Sequence, residues 1–123
     1  MHVTLDGRAD APTEKWSIHG VYQFCRDSVE LAQMTLISGP HVMAQQGHLY
    51  GIAILAESHV SVHLDKRSLT SHLDLFSCNP FDFNAWVELA QRHFSLVASI
   101  RHTQLDRGLL LEVSQRTGQE NDG

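Results

Sequence analysis

The stretch YGIAILAESHVSVHL, residues 50–64, decides how this chain can fold. Residues 50–56 form a strongly apolar run, and residues 60–64 alternate valine or leucine with serine or histidine. An apolar side chain at every second position is typical of a strand that has one face buried and the other in solvent. We therefore predict two consecutive strands that are separated by a short connection around Ser58.

Further strands are predicted on both sides of this pair. Residues 16–24 are rich in aromatic and β-branched side chains, which favour a strand. Shorter strands are predicted over residues 41–45, before a turn at Gly47, and over residues 73–77 and 94–100.

Two helices are predicted, and both begin at residue types that favour helix N-termini. Asp27-Ser28 can begin a helix that Ser38-Gly39-Pro40 ends near Ile37. The second helix is predicted over residues 81–93, started by the Asn-Pro pair or the aspartate within residues 79–82.

The resulting order is strand, helix, several strands, helix and strand. This order predicts an α+β fold in which an antiparallel β-sheet carries its helices on one face. Residues 1–123 are expected to form a single domain, in which residues 1–13 and 105–123 are polar and flexible.

Composition excludes several function classes. Fourteen acidic and nine basic residues give a net charge of -5, so neither nucleic acid nor an anionic membrane is expected as a partner. The apolar runs are too short to span a bilayer, the first fifteen residues lack the apolar core of a secretory signal, and two cysteines are too few for a disulfide scaffold. We therefore expect a cytoplasmic protein, and its small size favours a homodimer.

Two short motifs carry the chemistry. Residues 57–63 read ESHVSVH, and residues 74–78 read DLFSC. Both resemble the bacterial and archaeal S-adenosylmethionine decarboxylases, whose hallmark is E-S-H-x-[ST]-[IV]-H followed by D-[IVL]-F-[ST]-C. The two motifs stand at the family's separation, which makes the pair far more specific than either alone. The resemblance implies an S-adenosylmethionine decarboxylase-like α/β sandwich and a pyruvoyl-dependent decarboxylase.

The resemblance further implies self-cleavage between Glu57 and Ser58. The Ser58 hydroxyl would attack the Glu57 carbonyl to form an ester, and His63 matches the family's base that removes the Ser58 α-proton. Elimination and hydrolysis would leave a pyruvoyl group, the covalent cofactor, at residue 58, with fragments of residues 1–57 and 58–123. This cofactor condenses with the substrate amine as a Schiff base and is an electron sink in decarboxylation, after which Cys78 matches the family's proton donor.

Three positions depart from the family pattern. Arg67 stands where the family has a glutamate that binds the ribose hydroxyls of S-adenosylmethionine, and an arginine has no acceptor for them. The family's phenylalanine that stacks on adenine is replaced by Ala44, or by Met43 if the alignment slips by one residue. Tyr50 takes the place of a serine that assists processing.

Because both adenosine contacts are missing, we expect a small amino-acid-type substrate, L-ornithine or L-arginine, still within polyamine biosynthesis. The candidate substrate-binding residues are Glu57, Asp65 and Arg67. Two alternatives stay open: a conventional S-adenosylmethionine decarboxylase of spermidine biosynthesis, and a catalytically silent homologue that regulates an active partner. The resemblance also implies a homodimer with its sites near the protomer interface.

Each of these residues also has an ordinary structural interpretation. Ser58 can be a turn serine, His63 a hydrogen-bonded sheet histidine, and Cys78 a small buried hydrophobic residue. His59 and His63 could ligate zinc, but no further ligands complete such a set in the sequence, so no metal site is expected.

Overall fold

The structure of the protein is a computed structural model, and it describes residues 1–105 and 116–117. The strands are β1 (His2–Ala9), β2 (Leu36–Gln45), β3 (His48–Leu55), β4 (Ser58–Asp65), β5 (Thr70–Phe76), β6 (Leu96–Leu105) and β7 (Arg116–Thr117). The helices are α1 (Ile18–Leu31) and α2 (Phe83–Phe94). Within these residues all strand pairs are antiparallel, in the order β2-β3-β4-β5-β1-β6-β7. The predicted α+β fold is therefore confirmed.

The sheet has two unlike faces. The helix face packs against α1 and α2, and it buries residues such as Val60, Val62 and Leu64 of β4. The open face carries the alternate residues of the same strands, among them His59, Ser61 and His63, and no helix of the described residues covers it. Alternation along each strand thus separates a packed core from a solvent-facing surface.

The first helix differs from the prediction in position and extent. Residues 16–24, predicted as a strand, contain the start of α1, whose N-cap is Ser17: its hydroxyl accepts from Gly20 N at 3.1 Å. The helix ends at Leu31, so the helix predicted from Asp27-Ser28 to Ile37 is also wrong. The buried residues follow helical spacing and draw the segment onto the sheet; they are Val21, Phe24, Cys25, Ser28 and Val29.

Most of the N-terminal segment is a strand within the sheet, so the prediction that residues 1–13 are flexible is wrong for residues 2–9. β1 lies between β5 and β6 and pairs with both. Val3 and Leu5 are completely buried, because they point to the helix face while their neighbours point to the open face. Burial of two large side chains and two ladders of hydrogen bonds hold this segment in place.

Ser38-Gly39-Pro40 does not end a helix, because it lies within β2. The pairing of β2 with β3 shifts register on both sides of Ser38, and β2 is the edge strand beyond β3 in the described sheet. Edge strands with irregular pairing tolerate a proline, which cannot donate to the ladder.

The remaining elements agree with the predictions within a few residues. The predicted strands over residues 41–45, 50–56, 60–64, 73–77 and 94–100 correspond to β2 to β6. α2 begins after Asp82, whose carboxylate accepts from Ala85 N at 3.0 Å, and it ends at Ser95 in the left-handed conformation. The predicted flexible tail from residue 105 lies outside the described residues, except for Leu105 in β6 and strand β7.

Hydrogen bonds inside the core join α2 to α1 and to the segment just before α1. Trp86 Nε1 donates to Ser28 Oγ at 2.9 Å, and Trp16 Nε1 donates to the Phe94 carbonyl at 2.9 Å. These bonds satisfy both indoles where water cannot reach them. Among the described residues, no helix combines the length and the apolar character needed to cross a membrane.

Candidate active site

The site begins at the tight turn between β3 and β4. Glu57 occupies the left-handed region with φ of 64°, which is uncommon for a residue with a side chain and concentrates at functional positions. The turn places Ser58 at the first position of β4, where it pairs with Leu55. The Ser58 side chain is turned to the helix face and is 8% exposed, while Glu57 remains exposed.

The second motif meets this turn because β5 runs beside β4. Cys78 lies just beyond the end of β5, and its backbone N–H donates to Ser58 Oγ at 3.2 Å. Its thiol donates to the Glu57 carbonyl oxygen at 2.9 Å. The structure therefore brings Glu57, Ser58 and Cys78 together around the peptide bond that the sequence motifs single out, and we call this group the cleavage end.

Ser77, which the sequence analysis did not single out, fixes the position of Cys78. Ser77 N donates to the Met1 carbonyl at 2.8 Å, and Asn79 N donates to Ser77 Oγ at 3.0 Å. Ser77 is completely buried. These bonds hold the backbone that follows β5 against β1, so that Cys78 faces the turn.

The contacts at the cleavage end suit attack of a hydroxyl on a carbonyl. A donor directed at the Glu57 oxygen would stabilise negative charge that develops there. The Ser58 oxygen accepts from a backbone amide, which leaves its own proton free for removal by a base. Cys78 contacts both the Ser58 side chain and the carbonyl group of the residue before it. These residues therefore fit a cofactor that is formed from Ser58.

His63 does not belong to the cleavage end of its own chain. It lies five positions beyond Ser58 on β4, about 16 Å along a strand, and its side chain is on the open face whereas that of Ser58 is on the helix face. His63 Nε2 is 3.0 Å from His48 Nδ1, and its ring stacks on that of Tyr50 with centroids 4.7 Å apart.

The surroundings of His63 favour a neutral imidazole. Partial burial, together with the charges of His48 and His72, lowers the pKa of His63, and Asp65 offsets only part of this effect. A neutral imidazole at neutral pH can accept a proton, so the electrostatics suit a base even though no proton to be removed lies beside it in the same chain.

Asp65 and Arg67 also lie at the far end of β4. Arg67 N donates to Asp65 Oδ1 at 2.9 Å, and this bond is the main reason that the pKa of Asp65 is lowered. The Arg67 guanidinium donates to the Gln46 carbonyl at 3.2 Å in the β2–β3 turn. Together with Tyr50 and His63 these residues form a second group, which we call the histidine end.

A shallow groove of about 680 Å³ crosses the open face beside the histidine end. Both polar and apolar side chains line it, including Met43, Tyr50, Ile52, His63 and His72. Met43 is 54% exposed and Ile52 is 40% exposed, so apolar surface is present where sequence alternation alone would place polar residues.

Sequence reasoning missed one cluster on the open face. His59 does not approach His63; it lies with His2 and Asp74, and the potential ligand atoms of these three residues are all within 4.8 Å of one another. The sequence analysis could not bring His2 near His59 and Asp74, because His2 belongs to the segment that was predicted to be flexible.

Comparison with solved structures establishes the class of fold. The crystal structure of the adenosylmethionine decarboxylase from Aquifex aeolicus VF5 superposes with a TM-score of 0.75, covering 94% of this chain and 95% of that chain at 19% identity. This protein therefore has the α+β sandwich fold of that enzyme. No curated protein matches the chain.

The chain belongs to the S-adenosylmethionine decarboxylase family, whose sequence profile matches residues 1–108. Enzymes of this family are pyruvoyl-dependent decarboxylases of polyamine biosynthesis. The predicted family resemblance is thereby confirmed.

Proposed function

We propose that this protein is a self-processing, pyruvoyl-dependent decarboxylase that cleaves its own chain between Glu57 and Ser58. The observation that carries the proposal is the pair of contacts from Cys78, one to the Glu57 carbonyl and one to the Ser58 hydroxyl. The carbonyl group and the hydroxyl group that react in an acyl shift thus each accept a hydrogen bond from the same residue.

Self-cleavage proceeds through three steps. Ser58 Oγ attacks the Glu57 carbonyl carbon, the Glu57–Ser58 C–N bond breaks, and the amide becomes an ester. A base removes the Ser58 α-proton and the Glu57 carboxylate leaves, which produces a new C-terminus and a dehydroalanine. Addition of one water and loss of one ammonia then leave the pyruvoyl group at residue 58.

The base for the second step comes, in this proposal, from a second copy of the chain. His63 cannot reach Ser58 within one chain, because the two side chains are on opposite faces and about five strand positions apart. The cleavage end is accessible from outside, since Glu57 and Cys78 are both exposed. A homodimer in which each histidine end faces the other protomer's cleavage end would complete two sites.

The open face supports such a dimer. Four exposed apolar side chains on β2 and β3 extend from the histidine end toward the cleavage end; they are Met43, Tyr50, Ile52 and Ile54. An uncovered apolar patch beside polar residues is typical of a protein interface.

In the decarboxylation itself, the pyruvoyl group supplies an electron sink for the electron pair released as carbon dioxide leaves. Cys78 donates a proton to the substrate carbon in this proposal, since its thiol is exposed and Cys78 contacts Ser58, the residue that would become the cofactor. Glu57, as the new C-terminus, offers carboxylates that can hold the substrate amine.

We propose L-ornithine or L-arginine as the substrate, in cytoplasmic polyamine synthesis. The histidine end supports this choice, because Ala44 offers no ring for adenine and the Arg67 guanidinium is engaged by the Gln46 carbonyl. Asp65, whose lowered pKa keeps it ionised, can pair with the distal cation of a basic amino acid. Family membership favours S-adenosylmethionine as the competing substrate.

Intact mass spectrometry combined with a carbon dioxide assay tests the proposal. The purified protein should appear as two fragments that divide at residue 58, whereas the Ser58→Ala variant should remain one chain and release no carbon dioxide. The assay is then run separately with L-ornithine, L-arginine and S-adenosylmethionine.

Each outcome separates one hypothesis. Activity on the amino acids supports the proposed substrate, and activity on S-adenosylmethionine alone overturns it while retaining the cleavage chemistry. If the parent protein stays uncut and releases no carbon dioxide, as expected for Ser58→Ala, self-processing is overturned and the silent regulatory homologue is supported.

A further inference from the structure

Three potential metal ligands come together on the open face from three adjacent strands. His2 on β1 and His59 on β4 both pair with Phe76, which lies on the strand between them. Asp74 lies two positions earlier on β5, so its side chain is on the same face as that of Phe76. Strand register, and not a flexible loop, therefore sets the relative positions of the three residues.

The Asp74 carboxylate lies between the two imidazoles. One of its oxygens is hydrogen-bonded to His2 Nε2, and the other is 3.8 Å from His59 Nε2. Ser61 Oγ donates to the second oxygen at 3.5 Å and so helps to orient the carboxylate. Both histidines thus direct their Nε2 atoms toward the Asp74 carboxylate.

The aromatic ring of Phe76 restricts how the imidazoles can turn. Its centroid is 5.7 Å from that of His2 and 5.9 Å from that of His59. The side chains are also partly withdrawn from solvent, with exposed fractions of 14% for His2, 29% for Asp74 and 36% for His59. Restricted rotamers reduce the entropy that is lost when the ligands are ordered around an ion.

We propose that His2, His59 and Asp74 bind one divalent transition-metal ion of the zinc type. Two imidazole nitrogens and a carboxylate oxygen form a donor set that zinc accepts, with a fourth position left for water. Ligand atoms around a tetrahedral zinc ion at about 2.0–2.1 Å lie roughly 3.3 Å from one another. Because the three atoms are already within 4.8 Å, small side-chain rotations close the site.

The donor set also defines which ions the site rejects. Magnesium and calcium prefer oxygen ligands, so two imidazoles should discriminate against both. Histidine and aspartate bind a metal only when their ligand atoms are deprotonated, so protons compete with the ion and binding should weaken as the pH falls.

Isothermal titration of the full-length protein with Zn²⁺ tests the inference. We expect one ion per chain, and an affinity reduced by more than about tenfold in both Asp74→Asn and His59→Gln. The matched control is His72→Gln, since His72 is also an open-face histidine paired with an aspartate, Asp6, at 2.9 Å, but the pair belongs to no group of three potential ligands among the residues that the structure describes. The control should bind Zn²⁺ like the parent.

A second measurement separates specific binding at this site from weak metal binding by the seven other histidines of the chain. Co²⁺ in the Zn²⁺ site should give the visible absorption of a tetrahedral ion in the parent and in His72→Gln, and circular dichroism confirms that each variant is folded. Unchanged Zn²⁺ affinity in folded Asp74→Asn, or an equal loss in His72→Gln, overturns the proposal. The titration is repeated on Ser58→Ala, where Zn²⁺ binding should persist. A failure of the metal-site proposal can then be distinguished from a failure of the self-cleavage proposal.

Discussion

Cys78 contacts both sides of the Glu57–Ser58 peptide bond, one through its side chain and one through its backbone. Its thiol is directed at the carbonyl before the bond, and its backbone amide is directed at the hydroxyl after it. The other cysteine, Cys25, is completely buried, and burial raises its pKa to about 12. The two thiols therefore differ in access, which makes Cys25 a natural control for Cys78.

Replacing Cys78 by alanine should slow self-cleavage without unfolding the protein. The Cys78→Ala variant loses the donor to the Glu57 carbonyl, and loss of such a donor should reduce the rate by about tenfold or more. The fraction of cut chain is followed on a denaturing gel. The Cys25→Ala variant should cut at the parent rate, and equal rates in Cys78→Ala and the parent would show that the thiol contact is not used.

The pH dependence of self-cleavage should report His63. Burial and neighbouring histidines lower the pKa of His63 below its usual value of 6.5, so the neutral base persists in mildly acidic solution. The cutting rate should fall only as the pH drops through that lowered value, and it should be level above pH 6.5. Rates measured on freshly refolded precursor test this, and a midpoint above 6.5 would contradict the assignment of His63.

Helix α1 shows why composition alone misplaced an element. Aromatic residues within 16–24 favour a strand, yet Val21, Phe24, Cys25 and Val29 lie at helical spacing and are all buried. Ser17 supplies the N-cap that the sequence analysis assigned to Asp27-Ser28. The helical spacing of the apolar residues was therefore visible in the sequence. Packing of these residues against the sheet decides between the helix that their spacing favours and the strand that the aromatic residues favour.

Strand β1 was overlooked for a related reason. Val3 and Leu5 alternate with polar residues, which is strand period, but the next two buried positions are the small residues Gly7 and Ala9, which display it weakly. The pairing partners of β1 are β5 and β6, which are distant in sequence. No local pattern could reveal these long-range partners, whereas the neighbouring strands β3 and β4 were predicted correctly from residues 50–64.

Gly20→Ala should weaken the packing of α1 at its first turn. A Cβ atom at Gly20 would lie 1.9 Å from the Lys15 carbonyl oxygen, a backbone atom that can move only if the loop before the helix moves. We expect a loss of about 2 kcal/mol or more in unfolding free energy, although alanine is the better helix former. Thermal denaturation measures it, with Arg26→Ala on the exposed side of α1 as the control that should change little.

Across the whole molecule, the candidate site is divided between the two ends of β4. Ser58 and Cys78 were predictable from their motifs, and their contact follows from the pairing of β4 with β5. The separation of His63 from Ser58 was also implicit, because an odd number of positions along a strand reverses the face. The cluster of His2, His59 and Asp74 could not be predicted, since it required the position of β1.

Mixing two inactive variants should restore cutting if each site needs two copies of the chain. Ser58→Ala keeps His63 and His63→Ala keeps Ser58, so neither is expected to cut alone. After joint refolding at equal amounts, about half of the His63→Ala chains should be cut, because half of them pair with a Ser58→Ala partner. Intact mass resolves the two variants, and an uncut mixture would contradict a shared site.

The place of β1 in the sheet has a consequence for the cut protein. A break after Glu57 leaves β1, β2 and β3 on one fragment and β4, β5 and β6 on the other, yet β1 is held between β5 and β6. The two fragments are interleaved, so neither can diffuse away while the sheet persists. Size-exclusion chromatography of the nicked protein should give one native peak, which divides into two species only in denaturant. If the chain is cut as proposed, cutting should follow folding, since fragments released earlier would have to find each other before β1 could pair with β5 and β6.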